Sequence, residues 1–116
     1  MRTSHENPGP LQRLLGDTGV TRILDFLTVY QEFDYSMADV ARNSGLGKMT
    51  VIRAWPTLEK YGLVRETRKE GKAKMYRLNE TKVAKLVETL ALQIASVDAD
   101  LQAKGEPREI EPIATR

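Results

Sequence analysis

Apolar residues recur along this chain at helical spacings, with one stretch of alternation near the middle. Val20, Ile23, Leu24, Leu27 and Tyr30 lie three and four apart, which predicts a helix over residues 19–31 with one buried face. Asp17 or Thr18 stands where its cap belongs. Ahead of it, Pro10 opens a short amphipathic turn carrying Leu11, Leu14 and Leu15, which stops near Gly16. Phe33-Asp34-Tyr35 predicts a short extended link. Ser36 and Asp39 then form a capping-box arrangement with Asp in place of the usual Glu. Met37, Val40 and Ala41 are expected to face inward, and Gly45 to end that helix.

A third helix is predicted over residues 48–61, with Gly62 stopping it. Val51, Trp55 and Leu58 share one face, while Lys48, Met49, Ile52, Arg53 and Thr57 share the other. Pro56 interrupts the pattern: it removes the hydrogen bond to the Ile52 carbonyl and is expected to bend the helix, at about 3 kcal/mol. Residues 63–69 are rich in strand formers, Glu70-Gly71-Lys72 is a turn, and residues 73–78 return, so a hairpin is expected with Gly71 at positive φ. Asn79 is the expected cap of a long helix over residues 80–103. Along it Val83, Val87, Leu90, Ile94, Val97 and Leu101 repeat at 4, 3, 4, 3 and 4, a heptad seam that asks for a partner helix. The alternative is that Leu86, Leu90 and Ile94 fold back onto Ile23 and Leu27 of the same chain.

Length and composition narrow the class. At 116 residues, 41% hydrophobic and 29% charged, the chain suits one modest core. The absence of cysteine excludes disulfides, thiol catalysis and Cys-ligated zinc. The single histidine, His5, has no partner at metal-ligand spacing. No apolar run reaches the ~20 residues that span a bilayer, so a soluble cytoplasmic protein is expected. Residues 1–9 and 104–116 hold Pro and Gly among polar residues and are expected to be a loose leader and tail around a folded unit over 10–79 and the helix over 80–103.

Charge changes the picture more than composition does. Net charge is only +2. Yet residues 47–77 hold nine basic side chains (Lys48, Arg53, Lys60, Arg65, Arg68, Lys69, Lys72, Lys74 and Arg77) against Glu59, Glu66 and Glu70. That stretch therefore carries +6 and the remainder −4. A surface for a polyanion needs this asymmetry; a solvated charged face is the bland alternative.

A short helix, a Gly-containing turn and a second, basic helix make a helix-turn-helix arrangement. The run from Ala41 through Gly45 and Thr50-Val51 to Leu58, then Gly62-Leu63-Val64 and the closing Tyr76-Arg77-Leu78-Asn79, resembles winged helix-turn-helix DNA-binding domains. The likeness is to archaeal and bacterial regulators of the MarR, ArsR and PadR kind and spans roughly residues 20–80. Gly47, where such families often place Ser or Thr, and Pro56 depart from the pattern. The resemblance implies a mainly α fold with a small β-hairpin and a long C-terminal dimerisation helix. It also implies a dimer on double-stranded DNA, with helix 48–61 in the major groove and the basic wing on backbone or minor groove.

On that reading Arg53 is the candidate for a bidentate contact to guanine, against a surface pair with Glu59 or a phosphate contact. Lys48 and Thr50 suit phosphate at the start of the helix, and Lys60 a further phosphate. Met49 and Ile52 suit thymine methyl groups or rim packing. Thr57 completes the outer face. Arg68, Lys69, Lys72 and Lys74 crowd the wing, for DNA contact or as edge-strand protection. Trp55 and Tyr76 are expected in the core.

Val83, Val87, Leu90, Ile94, Val97 and Leu101 are the expected dimer interface. No phosphate loop, nucleophile–base pair or metal pattern stands out, so neither enzyme activity nor a cofactor is expected. Other classes remain: a winged-helix protein-interaction module, for which the +6 patch has no use, or a DNA-binding adaptor in replication or plasmid segregation.

Overall fold

The computed structural model describes residues 7–104. The expected leader and tail, His5 included, lie largely outside the described residues. The chain forms α1 (Pro10–Leu15), α2 (Gly19–Val29), α3 (Met37–Ser44), α4 (Lys48–Lys60), the strands β1 (Val64–Glu70) and β2 (Ala73–Leu78), and α5 (Lys82–Lys104). The strands pair antiparallel, from Val64 opposite Leu78 to Glu70 opposite Ala73, with a bulge that leaves Thr67 unpaired. Tyr35 adds a short antiparallel bridge to Tyr76, its N–H and C=O each bonded at 2.7 Å. The predicted extended link is thus a third, minimal strand at the base of the wing.

The core lies where α2, α3, α4 and the hairpin base meet. Ile23, Leu27, Val40, Val51, Trp55 and Leu58 are almost wholly buried in it. Trp55 packs edge-on to Tyr76, with ring centroids 4.9 Å apart, which places both aromatics inside as expected. Tyr30 departs from the expected α2 face. The helix ends one residue before it, so its ring is exposed, while Phe26, off the 3–4 pattern, is buried. Ser36 and Asp39 complete the expected capping box at 3.1 Å in both directions. Gly45 takes φ +69, the left-handed conformation that turns the chain from α3 toward α4. Helix α4 runs unbroken through Pro56, which sits on its exposed side.

Two caps differ from expectation. Asn79 does not cap α5. Its N–H continues the strand pairing to the Leu63 carbonyl at 2.9 Å, and Thr81 caps instead, accepting the Ala84 N–H at 3.2 Å. The Thr81 hydroxyl also donates to the Gly62 carbonyl at 2.7 Å, which ties the start of α5 to the end of α4. Gly9, expected in the loose leader, holds the cap position of α1 with no side chain of its own. The buried Asp25 of α2 supplies the cap, accepting the N–H groups of Leu11 at 2.9 Å and Gln12 at 3.1 Å.

Helix α5 buries a different stripe from the heptad seam. Ala84 and Ala91 are 0% and 3% exposed, with Val87 and Ile94 packed partly beside them. Small residues let α5 approach α1 and α2 closely, and the flanking large ones are turned out. Val83, Leu90, Val97 and Leu101 face solvent, as does Leu86 at 63% exposure. Of the six seam residues, Val87 and Ile94 therefore belong to their own chain's core. Of the residues in the fold-back alternative, Ile94 packs against the chain's own core, while Leu86 and Leu90 are exposed. Arg13 pairs with Asp98, and Gln31 donates to Glu88 at 2.8 Å, fixing α5 along the back of the domain.

Candidate nucleic-acid interface

Helix α4 presents its outer face to solvent because Val51, Trp55 and Leu58 anchor the opposite one. Lys48, Met49, Thr50, Ile52, Arg53, Thr57 and Lys60 are all exposed, Met49 by 56%. Thr50 also has an inward role: a Cβ added at Gly19 would stand 3.0 Å from its methyl group, so the starts of α2 and α4 pack closely there. Behind the turn, the Arg22 guanidinium lies 3.4 Å from the Ser44 carbonyl and 3.3 Å from that of Gly45, while Asp17 holds it at 2.6 Å. The hydrogen bond to Asp17 raises the pKa of Arg22 further above its ordinary value. The two helices are thereby braced from α2.

The basic stretch divides into two groups once folded. Three arginines of the wing are engaged within the chain. Arg65 pairs with Glu80 at 3.8 Å, and Arg77 donates to the Glu32 carbonyl at 2.9 Å. Arg68 grips Asp34 through two bonds of 3.0 and 3.1 Å and also pairs with Glu70 at 3.5 Å. Lys48, Arg53, Lys60, Lys69, Lys72 and Lys74 form no ion pair among the described residues. The pair between Arg53 and Glu59 is absent from them. Lys60 sits 5.2 Å from the centre of the Tyr61 ring. The cations left open to an external anion thus lie on α4 and the outer wing.

Lys48, Lys72 and Lys74 come from elements far apart in the sequence, yet line one cleft of about 340 Å3 with Ser36, Met37 and Tyr76. The Ser36 side of this cleft carries no charge signal, so sequence reasoning missed it. Asp34 was missed too, because its partner Arg68 is 34 residues away. The Thr67 hydroxyl donates to Asp34 at 2.6 Å, and this bond, followed by the Arg68 pair, holds the Asp34 carboxyl below its ordinary pKa. Among the described residues no group of acidic or His side chains could hold a metal ion, and no helix is long and apolar enough to cross a membrane.

No family model matches the chain, and no curated protein matches it by sequence. Solved structures do. MepR, a transcription regulator of the Staphylococcus aureus multidrug efflux pump MepA, is similar with a TM-score of 0.63 at 20% identity, over 83% of this chain and 70% of that one. A MepR variant bound to an oligodeoxyribonucleotide is similar with a TM-score of 0.59 at 19% identity, over 84% and 71%. The transcriptional repressor BigR from Xylella fastidiosa gives 0.52 at 26% identity, over 66% and 74%. These likenesses show the fold: a winged helix-turn-helix with a long C-terminal helix.

Proposed function

We propose that this winged helix-turn-helix chain binds double-stranded DNA as a transcriptional regulator, with α4 in the major groove and the wing lysines on the backbone or minor groove. The observation that carries the reading is the cleft shared by Lys48, Lys72 and Lys74, because it sets cations of the helix and of the wing, in no ion pair among the described residues, on one side of the molecule. Each cation set against a phosphate releases condensed counterion, so the arrangement favours a polyanion. A protein-docking wing has no need of it. Similarity to a regulator structure that contains an oligodeoxyribonucleotide supports the same reading.

Sequence preference is assigned to the outer face of α4. Arg53, exposed and without an ion pair among the described residues, has the reach and the planar fork to read guanine, and Met49 and Ile52 offer apolar surface to thymine methyls. Arg53→Ala is expected to cost about 1–3 kcal/mol on the preferred site and much less on random DNA. Selection from a random duplex pool followed by titration of both duplexes checks this. Equal losses on the two would make Arg53 a backbone contact.

The chain is proposed to act as a twofold dimer on an inverted repeat, with half-sites about one helical turn apart. What supports this is the row Val83, Leu86, Leu90, Val97 and Leu101, exposed along α5 beside the stripe it buries in its own chain. Removing the helix would also strip Ala84 and Ala91 from the core, so substitution is the cleaner test. Leu86→Glu with Val97→Glu is expected to give a folded monomer by light scattering at micromolar concentration. An unchanged mass, dimeric or monomeric, would rule this interface out.

A further inference from the structure

Beyond its bulge the wing is exposed throughout residues 68–74. Residues 68–74 hold Lys69, Lys72 and Lys74, and their hydrogen bonds to the body, among the described residues, are those of Arg68 to Asp34. Asp34 lies in the loop between α2 and α3, two residues before the Ser36 cap, so it belongs to the helix-turn-helix side of the cleft. Its carboxylate takes the Thr67 hydroxyl at the bulge and the Nε and Nη2 groups of the Arg68 guanidinium just past it. A bidentate carboxylate–guanidinium pair fixes orientation as well as distance. The bulge, where a hairpin is most easily re-aimed, is therefore clamped from the body.

We propose that Asp34 is the positioning residue of the wing: it sets the hairpin so that Lys72 and Lys74 close one wall of a cleft, opposite Ser36, Met37 and Lys48, that seats the phosphates of one DNA strand. The inference rests on the DNA reading and adds the element that pre-forms its backbone site. Asp34 itself touches no phosphate, and its charge alone repels one. Arg68 is spent on the clamp rather than on DNA.

This separates positioning from plain electrostatics, because the two give opposite signs. Asp34→Ala makes the protein one charge more positive and releases Arg68. If charge alone mattered, affinity for duplex would rise and the salt slope would steepen by about one unit. The clamp predicts a fall of roughly tenfold, with a slope flatter by about two units as Lys72 and Lys74 lose their seat. Arg68→Ala is expected to weaken binding to the same degree, and the double variant to be no weaker than either single one, since both break one device. Thr67→Val keeps every charge and is expected to move affinity the same way by a smaller factor, which preserves the test if Asp34→Ala folds poorly.

The experiment is fluorescence anisotropy of the full chain with a duplex selected from a random pool, over a salt series, with thermal unfolding of each variant alongside. Tighter or unchanged binding by Asp34→Ala, or additive losses in the double variant, would overturn the inference. A wild-type chain that binds no duplex at low salt would instead defeat the DNA reading from which it starts.

Discussion

Raising salt from about 50 to about 200 mM is expected to weaken duplex binding by roughly a thousandfold per protomer. Five lysines on α4 and the outer wing carry this expectation: Lys48, Lys60, Lys69, Lys72 and Lys74, none in an ion pair among the described residues. With Arg53 on a base edge and each lysine set against a phosphate, the slope of log affinity on log salt is about −4.5, and a fourfold change in salt then gives nearly three decades. The internally bound Arg65, Arg68 and Arg77 are left out of that sum. A slope of about −7 or steeper would mean that the three arginines leave their partners on binding. Insensitivity to salt would remove the polyanion reading altogether.

Asp25→Ala is expected to cost about 2–4 kcal/mol of folding stability and to lower the melting temperature by of order 10–20 °C. Asp25 is 7% exposed, and its carboxylate accepts two backbone N–H groups that open α1. Its loss leaves two donors with no partner at a buried helix start and removes a negative charge from the positive end of the helix dipole. Gly9 shows how closely the cap fits: a Cβ there would stand 2.3 Å from the Asp25 carboxyl carbon, so Gly9→Ala is expected to destabilise α1 as well. A cost below 1 kcal/mol for Asp25→Ala, by thermal or urea unfolding, would show that α1 is held by Leu11 packing alone.

The two carboxylates give opposite pH dependences. Burial outweighs the two N–H bonds and raises the Asp25 pKa, so ionising this group in the folded chain costs stability, and folding stability linked to it declines as pH rises through the folded value. The Thr67 bond and Arg68 lower that of Asp34, so the wing clamp is full above the ordinary carboxylate range and lost as pH falls through the folded value.

The succession of helices and hairpin was legible because each rests on local physics. The 3–4 spacing of Ile23, Leu24 and Leu27, the Ser36–Asp39 box, and glycines at positions 45 and 71 that take positive φ are set within a few residues. The outer face of α4 followed from the phase of Val51, Trp55 and Leu58, since whatever is not anchored inward on a helix faces out. The basic patch was likewise countable from the sequence, but which of its charges stay unpaired was not.

That division was decided by long-range pairing. Arg68 looked like one wing cation among four until Asp34, 34 residues earlier, was found to hold it. The heptad pattern on α5 ranks residues by hydrophobic size, whereas close helix packing selects by how near two backbones can come. Ala84 and Ala91 therefore went inward, and large residues the pattern would pair with a partner were split between the core and solvent. Capping failed to be local at α1: a helix start needs an acceptor at the right place in space, and Asp25 met that need from another helix. The sequence by itself determined the elements, their order and the exposed reading face. Only the tertiary structure decided which side of α5 is buried, what holds α1, and which cations remain for a polyanion, because each depends on groups that meet across dozens of residues.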